Sequence, residues 1–338
     1  MPELLADHTT LHVGGPAADF VVATTEAELV DAVRDADDAG RPLLVLGGGS
    51  NVLVADAGFD GRVVAVRTRG VSADADACGG AVLRVAAGEP WDDLVARAVD
   101  EGWVGVEALS GIPGLVGATP IQNVGAYGQE VSETIASVRC WDRQAGAVRT
   151  LFNRDCRFGY RTSRLKQEPG RWVVLEVVLQ LRLGDLGTPV RYAELAGRLG
   201  VDPRARAPLG DVRAAVLDLR RGKGMVLDPL DHDTWSAGSF FTNPVLPAGA
   251  VPEGAPAWPQ GDDTVKTSAA WLIEHAGFGR GHGDVRAALS GKHTLALTNR
   301  GGASADDLLG LAREVRDGVR EKFGIELVNE PVLVGCDL

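Results

Sequence analysis

The sequence predicts an α+β protein of two or three domains, and three observations carry that expectation. The chain has 338 residues, more than a single hydrophobic core usually serves. Its strand-like runs are short and unevenly spaced, which suggests a mixed or antiparallel sheet in place of a regular βα alternation. Its helix signals carry explicit start and stop residues.

Taken in order, strands are expected at Ala18–Ala23 and Pro42–Leu46. Between them a helix opens at Thr25, with Glu28 three residues later in a capping-box pattern, and closes near Gly40. Strand-like runs recur at Val63–Arg67 and Ala81–Ala87, followed by a helix from Pro90 to Glu101. Further strands are expected at Ser137–Trp141, Ala147–Leu151 and Trp172–Leu183. Residues 184–208 form a polar, Gly/Pro-punctuated stretch with a short helix at Tyr192–Leu199, and a second helix follows at Val212–Arg221. Pro244 to Asp263 holds five prolines and no period, the signature of a long loop or linker. Helices at Ser268–Ala276 and Ser304–Phe323 stop at Gly277 and Gly324, and a last strand is expected over Glu326–Val334. A domain boundary falls somewhere between 184 and 225.

Composition excludes several classes. The chain is 45% hydrophobic and 24% charged, with a net charge of −12. That balance fits a soluble globular protein and argues against nucleic-acid binding, which calls for a basic face. Met1–Val13 lacks the basic start and apolar core of a signal peptide. The most apolar strand-like run, Val173–Leu181, is short and contains Glu176, so no membrane insertion is expected. Cys78, Cys140, Cys156 and Cys336 are scattered, as are six histidines, with no CxxC and no HExxH. A cytoplasmic protein with reduced thiols and no protein-built metal site is expected.

One segment stands apart. Residues 108–129, ALSGIPGLVGATPIQNVGAYGQ, contain no charged side chain. Five glycines and two prolines forbid a regular helix or central strand there. Uncharged backbone of this kind folds inward, and its N–H groups then need acceptors. Two readings are open: a tightly packed crossover, or a loop that closes on a buried anionic cofactor.

Other segments could carry chemistry. Val45-Leu-Gly-Gly-Gly-Ser-Asn51 follows a strand; its glycines suit a diphosphate-binding nest, or form only a turn. It is neither a Walker A loop nor GxGxxG. Phe158-Gly-Tyr-Arg-Thr-Ser-Arg-Leu-Lys166 is either a solvated basic turn or a site where Arg161 meets a carboxylate or oxyanion beside Tyr160. In Trp235-Ser-Ala-Gly-Ser-Phe-Phe-Thr-Asn-Pro244, Ser239 sits between a glycine and two phenylalanines. With Phe at 241 this is no hydrolase elbow. Either the serine bonds its own backbone, or it donates a proton in a dry site. Glu330, inside an apolar strand just before Pro331, is costly unless paired, protonated or turned to a wet face.

In order, these segments resemble the UDP-N-acetylenolpyruvoylglucosamine reductases of bacterial peptidoglycan synthesis. The matching strings are LGGGSNVLV (46–54), GIPGLVGATPIQNVGAYGQEV (111–131), FGYRTSRLK (158–166), AGSFFTNP (237–244), KTSAAWLIEHAGFGRGHGDV (266–285) and NEPVLVG (329–335). The set spans nearly the whole chain and is far more specific than any one member.

The resemblance implies the two-subdomain FAD-binding fold of vanillyl-alcohol oxidase and p-cresol methylhydroxylase, with a third α+β domain for substrate. It divides the chain into 1–68, 69–210 and 211–325, with residues 326–338 returning to the first part. It implies FAD held by Gly47, Gly48, Gly49, Ser50 and Asn51. The long segment would contribute Gly111, Ile112, Pro113, Gly114, Gly117 and Ala118, then Gln122, Asn123, Gly125, Ala126, Tyr127 and Gly128. Neither loop contains His or Cys, so the flavin is expected to be non-covalent. NADPH is the implied hydride donor and a UDP-sugar the substrate.

By the same resemblance, Arg161 stabilises negative charge on the enolpyruvyl group, Ser239 gives the proton to C2, and Glu330 lies beside the substrate carboxylate. Tyr160 and Tyr192 would contact substrate; Tyr192 matches the tyrosine of the longer family form. Lys223 and Asn243 resemble residues that bind the UDP diphosphate. Two departures weaken that last part: Thr242 stands where some relatives have lysine, and Lys223 lies in KGMVLDP in place of KLPDP. The chain is expected to act as a monomer. Another FAD oxidoreductase of this fold, or a non-catalytic flavin or nucleotide-sugar binder, is the alternative; Arg161, Ser239 and Glu330 together argue against both.

Overall fold

The computed structural model describes residues 2–338, which divide into two compact units. The larger takes Ala18–Gly48 and Asp60–Gly222; the other, here the terminal unit, takes residues 2–17, Gly49–Phe59 and Lys223–Leu338.

The larger unit is built on two sheets. In the first, strands run in the order Ala17–Ala23, Phe59–Val66, Leu43–Leu46, the last two parallel with Val45 opposite Val64. Helix α1 (Glu26–Asp38) starts where Thr25 accepts from Glu28 N while the Glu28 carboxylate accepts from Thr25 N. Its buried side, Leu29, Ala32, Val33 and Ala36, repeats at helical spacing. The second sheet is antiparallel, in the order Ala147–Phe152, Ile135–Asp142, Trp172–Leu183, Gly80–Ala86, Val71–Asp76. Trp172–Leu183 lies at its centre, which explains its unusually continuous apolar run.

Helix α2 (Trp91–Asp100) buries Trp91, Leu94, Val95 and Ala98 into the core shared by both sheets. A short helix, α3 (Arg164–Gln167), follows the Arg161 turn. Helices α4 (Ala193–Leu199) and α5 (Leu209–Gly222) pack on a smaller cluster that includes Leu195, Val212 and Val216.

The terminal unit pairs Val52–Val54 with Val332–Val334 in parallel. Helices α6 (Ala269–Ala276) and α7 (Ala305–Phe323) end at Gly277 and Gly324, both left-handed, and α7 opens with a Ser304 capping box. Phe240 and Phe241, each 1% exposed, anchor its core beside Leu272, Leu308 and Val315. Burying one such ring is worth about 1.5–3 kcal/mol.

Two expectations are corrected. Residues 244–263 are not a structureless loop: Val245–Pro247 and Ala257–Gly261 flank Thr264–Thr267 in a three-stranded antiparallel sheet. Both outer strands carry proline, tolerated because they are edges. The last strand covers only Val332–Val334, because Pro331 has no N–H and the first ladder bond runs from Val332 N to Asn51 O. Glu330 therefore precedes the strand.

Candidate active site

In the larger unit, the two glycine-rich loops meet. A Cβ on Gly48 would stand 2.7 Å from the Cα of Gly114, so bare backbone is required for that approach. Arg67 Nη1 donates to Gly47 O at 3.0 Å and supports the first loop from below. Among the described residues, the N–H groups of Gly47, Gly48, Gly114 and Leu115 donate to no protein acceptor.

The rest of the uncharged segment satisfies itself. Gly111 N donates to Asp92 Oδ1 at 2.6 Å, Val116 N to Glu89 O and Gly117 N to Ala87 O. Ala118, Thr119, Ile121 and Val124 close successive turns within the segment. At its end Gly125–Ala126 pairs with Gln129–Glu130 across a two-residue turn, in which Tyr127 and Gly128 both take positive φ. Most of this backbone is thus a packed crossover, and the amides of Gly114 and Leu115, beside the Gly47–Gly48 turn, are among those with no protein acceptor.

Arg161 bonds the end of this segment. Its Nη2 donates to Gly125 O at 2.5 Å and its Nη1 to Asn123 O at 3.3 Å. Its φ is +53°, and those of Asn123 and Tyr127 are +49°. Left-handed backbone at three side-chain-bearing residues in one place is strain of the kind found at functional sites. Tyr160 lies under the guanidinium, 5.5 Å from its ring centroid.

Tyr127 meets Tyr192 edge-on, with centroids 5.5 Å apart. Tyr192 is 46% exposed, at the cap position just before α4. Burial pushes the Tyr127 hydroxyl up to about 12, so the ring is neutral at physiological pH.

Sequence reasoning missed two charged residues here. Arg220, on α5, is 8% exposed. Burial lowers its pKa to about 10, opposed by Tyr127 and Asp92, and the guanidinium stays charged. Its spacing of four from Val216 and eight from Val212, both buried, was the available signal. Asp92, in the first turn of α2, is the second. Burial would raise its pKa, but hydrogen bonds from Arg213 and Gly111 and the charges of Arg213 and Arg220 outweigh it, and the net direction is downward.

In the terminal unit, the structure brings the Ser239 and Glu330 segments together. Glu330 N donates to Phe240 O at 2.8 Å, Thr242 N to Val328 O, and Phe241 bridges Asn329. Asn51 Nδ2 reaches Glu330 O at 3.4 Å. Ser239 is part-buried, and among the described residues its hydroxyl makes no hydrogen bond to protein. The alternative of a serine bonding its own backbone is therefore not what is found. Asn243 Oδ1 accepts from Ala269 N at the start of α6, which turns its NH2 end away from that helix. Lys223 follows α5 directly and is part-buried. Arg161 belongs to the larger unit, and Ser239, Glu330, Asn243 and Lys223 to the terminal one.

Among the described residues, no group of three or more His, Cys, Asp or Glu is placed to hold a metal. No described helix is long and apolar enough to cross a membrane. All four cysteines are free thiols, and burial pushes Cys156 up to about 12.

Comparison with known proteins places the chain in a family. Residues 17–151 match the family described as FAD binding domain. Residues 228–334 match the C-terminal domain of UDP-N-acetylenolpyruvoylglucosamine reductase. The chain is 61% identical to the UDP-N-acetylenolpyruvoylglucosamine reductase of Cutibacterium acnes, over 99% of this chain and 90% of that protein. It is 56% identical to the enzyme of that name from Streptomyces coelicolor, at the same coverage. The crystal structure of the Thermus caldophilus reductase superposes with a TM-score of 0.68 at 28% identity, covering 99% of this chain and 98% of that one. The fold is the FAD-binding type of vanillyl-alcohol oxidase with an added α+β substrate domain, and the chain belongs to the UDP-N-acetylenolpyruvoylglucosamine reductase family.

Proposed function

We propose that this chain reduces UDP-N-acetylenolpyruvoylglucosamine to UDP-N-acetylmuramate for peptidoglycan precursor synthesis, using non-covalent FAD and NADPH, with Arg161, Ser239 and Glu330 as its catalytic residues. The observation that carries the assignment is the Ser239 hydroxyl. It is part-buried without a protein partner, on a segment whose next residue is bonded to Glu330 N. A hydroxyl kept from its own backbone is available to donate.

The residues present fit the flavin nucleotide. The open N–H groups of Gly47, Gly48, Gly114 and Leu115 supply dipoles for a diphosphate without any Lys or Arg in either loop. Gly47 adds a second argument, because a Cβ there would meet nothing closer than 3.8 Å. Protein packing does not demand glycine at 47, whereas a ligand against the backbone does. Ser50, Asn51 and the 122–128 turn would line the remaining cofactor surface.

When bound and reduced by NADPH, FAD supplies the hydride that goes to C3 of the enolpyruvyl group. Arg161 then stabilises the negative charge that spreads from C2 onto the carboxylate. Two backbone carbonyls hold its fork in place beforehand, so little reorganisation is needed. Ser239 gives its proton to C2, and Glu330 stands beside the substrate carboxylate. Tyr160, Tyr192, Lys223 and the NH2 end of Asn243 bind the sugar nucleotide. In this reading 1–68 and 69–210 are the FAD-binding subdomains and 211–325 the substrate domain, with the Val332–Val334 strand returning to Val52–Val54. The protein works as a cytoplasmic monomer.

Anaerobic stopped-flow tests the assignment. Ser239→Ala leaves bleaching of the flavin by NADPH intact and slows its recolouring by the enolpyruvyl sugar nucleotide. Equal loss in both half-reactions removes Ser239 as the proton donor.

A further inference from the structure

The N-terminal segment Thr9–Val13 has no place in the mechanism above, yet in the terminal unit it lies between the Gly49 turn and the Ser239 segment. Thr10 N donates to Gly49 O at 3.1 Å, and Thr10 Oγ1 donates to Ser236 O at 2.7 Å. The residue is 5% exposed, as is Ser236. The approach is backbone on backbone: Gly49 has φ +63°, and a Cβ on it would stand 1.9 Å from His8 O.

Asn299, 2% exposed, fixes the segment from the other side. Its Nδ2 donates to Leu11 O and His12 O at 3.0 and 3.2 Å, while its Oδ1 accepts from Gly301, Gly302 and Ala303 N. Thr10 is therefore a fixed point in the unit.

Downstream, Ser239 is suspended between two pins. One is the Ser236 carbonyl on Thr10. The other is Phe240, whose N donates to Leu295 O at 2.7 Å and whose O accepts from Glu330 N. Between them Gly238 takes φ +71° with nothing within 4 Å of where a Cβ would be, and its N donates to Ser236 Oγ at 3.2 Å, so the link to Ser239 is tied back to the residue that Thr10 holds. The position of Ser239 Oγ depends on those two anchors.

We propose that Thr10 is a positioning residue for proton donation: its hydroxyl holds the Ser236 carbonyl and so sets where Ser239 Oγ stands relative to Glu330 and the Gly49–Asn51 turn. This rests on Ser239 being the proton donor. Misplacement of a reacting group by a fraction of an ångström to about 1 Å slows a reaction by roughly ten- to hundredfold.

Thr10→Val keeps shape, β-branching and the N–H bond to Gly49, and removes only the hydroxyl. Recolouring by substrate is expected to slow roughly ten- to hundredfold, while NADPH bleaching and the FAD dissociation constant stay within error. Thr10→Ser restores the rate. In a Ser239→Ala background, Thr10→Val adds no further slowing, because the group it positions is gone. A merely structural role would lower both half-reactions, weaken FAD, or add its full factor on top of Ser239→Ala; any of these overturns the proposal, as does failure of Thr10→Ser to rescue. If Thr10→Val does not fold, Thr10→Cys, a weak donor of serine's shape, replaces it and the same outcomes decide. Loss of effect in Ser239→Ala itself would sink the proton-donor reading; an effect there with none at Thr10 sinks this inference alone.

Discussion

The Asp92 carboxylate grips Arg213 with both oxygens, at 2.7 and 2.9 Å, across 121 positions of sequence. The same carboxylate accepts from Gly111 N, so one side chain ties helix α5 to the start of the uncharged segment. Two-pronged geometry makes this pair stronger than ordinary surface ion pairs.

Asp92→Asn keeps one acceptor and loses the charge. We expect destabilisation of roughly 1–3 kcal/mol, typical of a broken charged hydrogen bond, read by thermal melting. The Gly111–Leu115 loop would loosen as well, so FAD affinity falls with it. A drop in melting temperature at unchanged FAD affinity would detach the loop from this anchor. The pH dependence has a definite sign. The folded pKa lies below the ordinary 3.8, so the stabilisation is complete above that value and is lost as pH falls through the folded one. Wild type should lose stability in that acid window more steeply than Asp92→Asn.

Gly47 and Gly48 are neighbours with opposite expectations. Gly48→Ala drives a methyl to 2.7 Å from the Gly114 Cα. Overpacking of this kind costs about 1–3 kcal/mol, and the melting temperature of the apoprotein should drop. Gly47→Ala meets only ordinary contacts at 3.8 Å or beyond. Its apoprotein should melt as wild type does, while FAD binds roughly tenfold more weakly, a loss of about 1.4 kcal/mol. Fluorescence titration of FAD into apoprotein checks both, and unchanged affinity in Gly47→Ala would remove this glycine from the cofactor contact.

Local signals in the sequence were legible where the structure is local. The Thr25–Glu28 and Ser304 caps and the Gly277 and Gly324 stops depend on residues within one turn, and each lies where its chemistry requires. Pairing of Val52–Val54 with Val332–Val334 joins segments about 280 positions apart, and nothing near either strand encodes it. The edge strands around Thr264–Thr267 were hidden by their prolines, because an edge tolerates what a central strand does not. Among the residues of the proposed site, the glycine loops, Arg161 and Ser239 were visible through unusual composition. Asp92 and Thr10 were not, since an acid in a helix's first turn and a threonine near the N-terminus are ordinary in sequence, and Arg220 showed only in its helical spacing from Val212 and Val216. Their contacts are tertiary, and only folding reveals them.

Arg161→Lys is the sharpest test of the charge-stabilising role. Arginine here uses one nitrogen on Gly125 O and another on Asn123 O, leaving the planar fork oriented by both. Lysine keeps the charge but not the fork, and its compact ammonium cannot span both carbonyls in one plane while facing a substrate carboxylate. Loss of one preorganised donor to a developing oxyanion costs roughly 10²–10³ in rate. We expect that loss in recolouring by the enolpyruvyl substrate, with NADPH bleaching within about twofold of wild type, since the arginine is assigned to the second half-reaction alone. Because Asn123 and Gly125 belong to the turn beside the cofactor loops, FAD affinity must be measured in parallel. If recolouring slows only in proportion to lost flavin, Arg161 shapes the turn and does not act on the substrate.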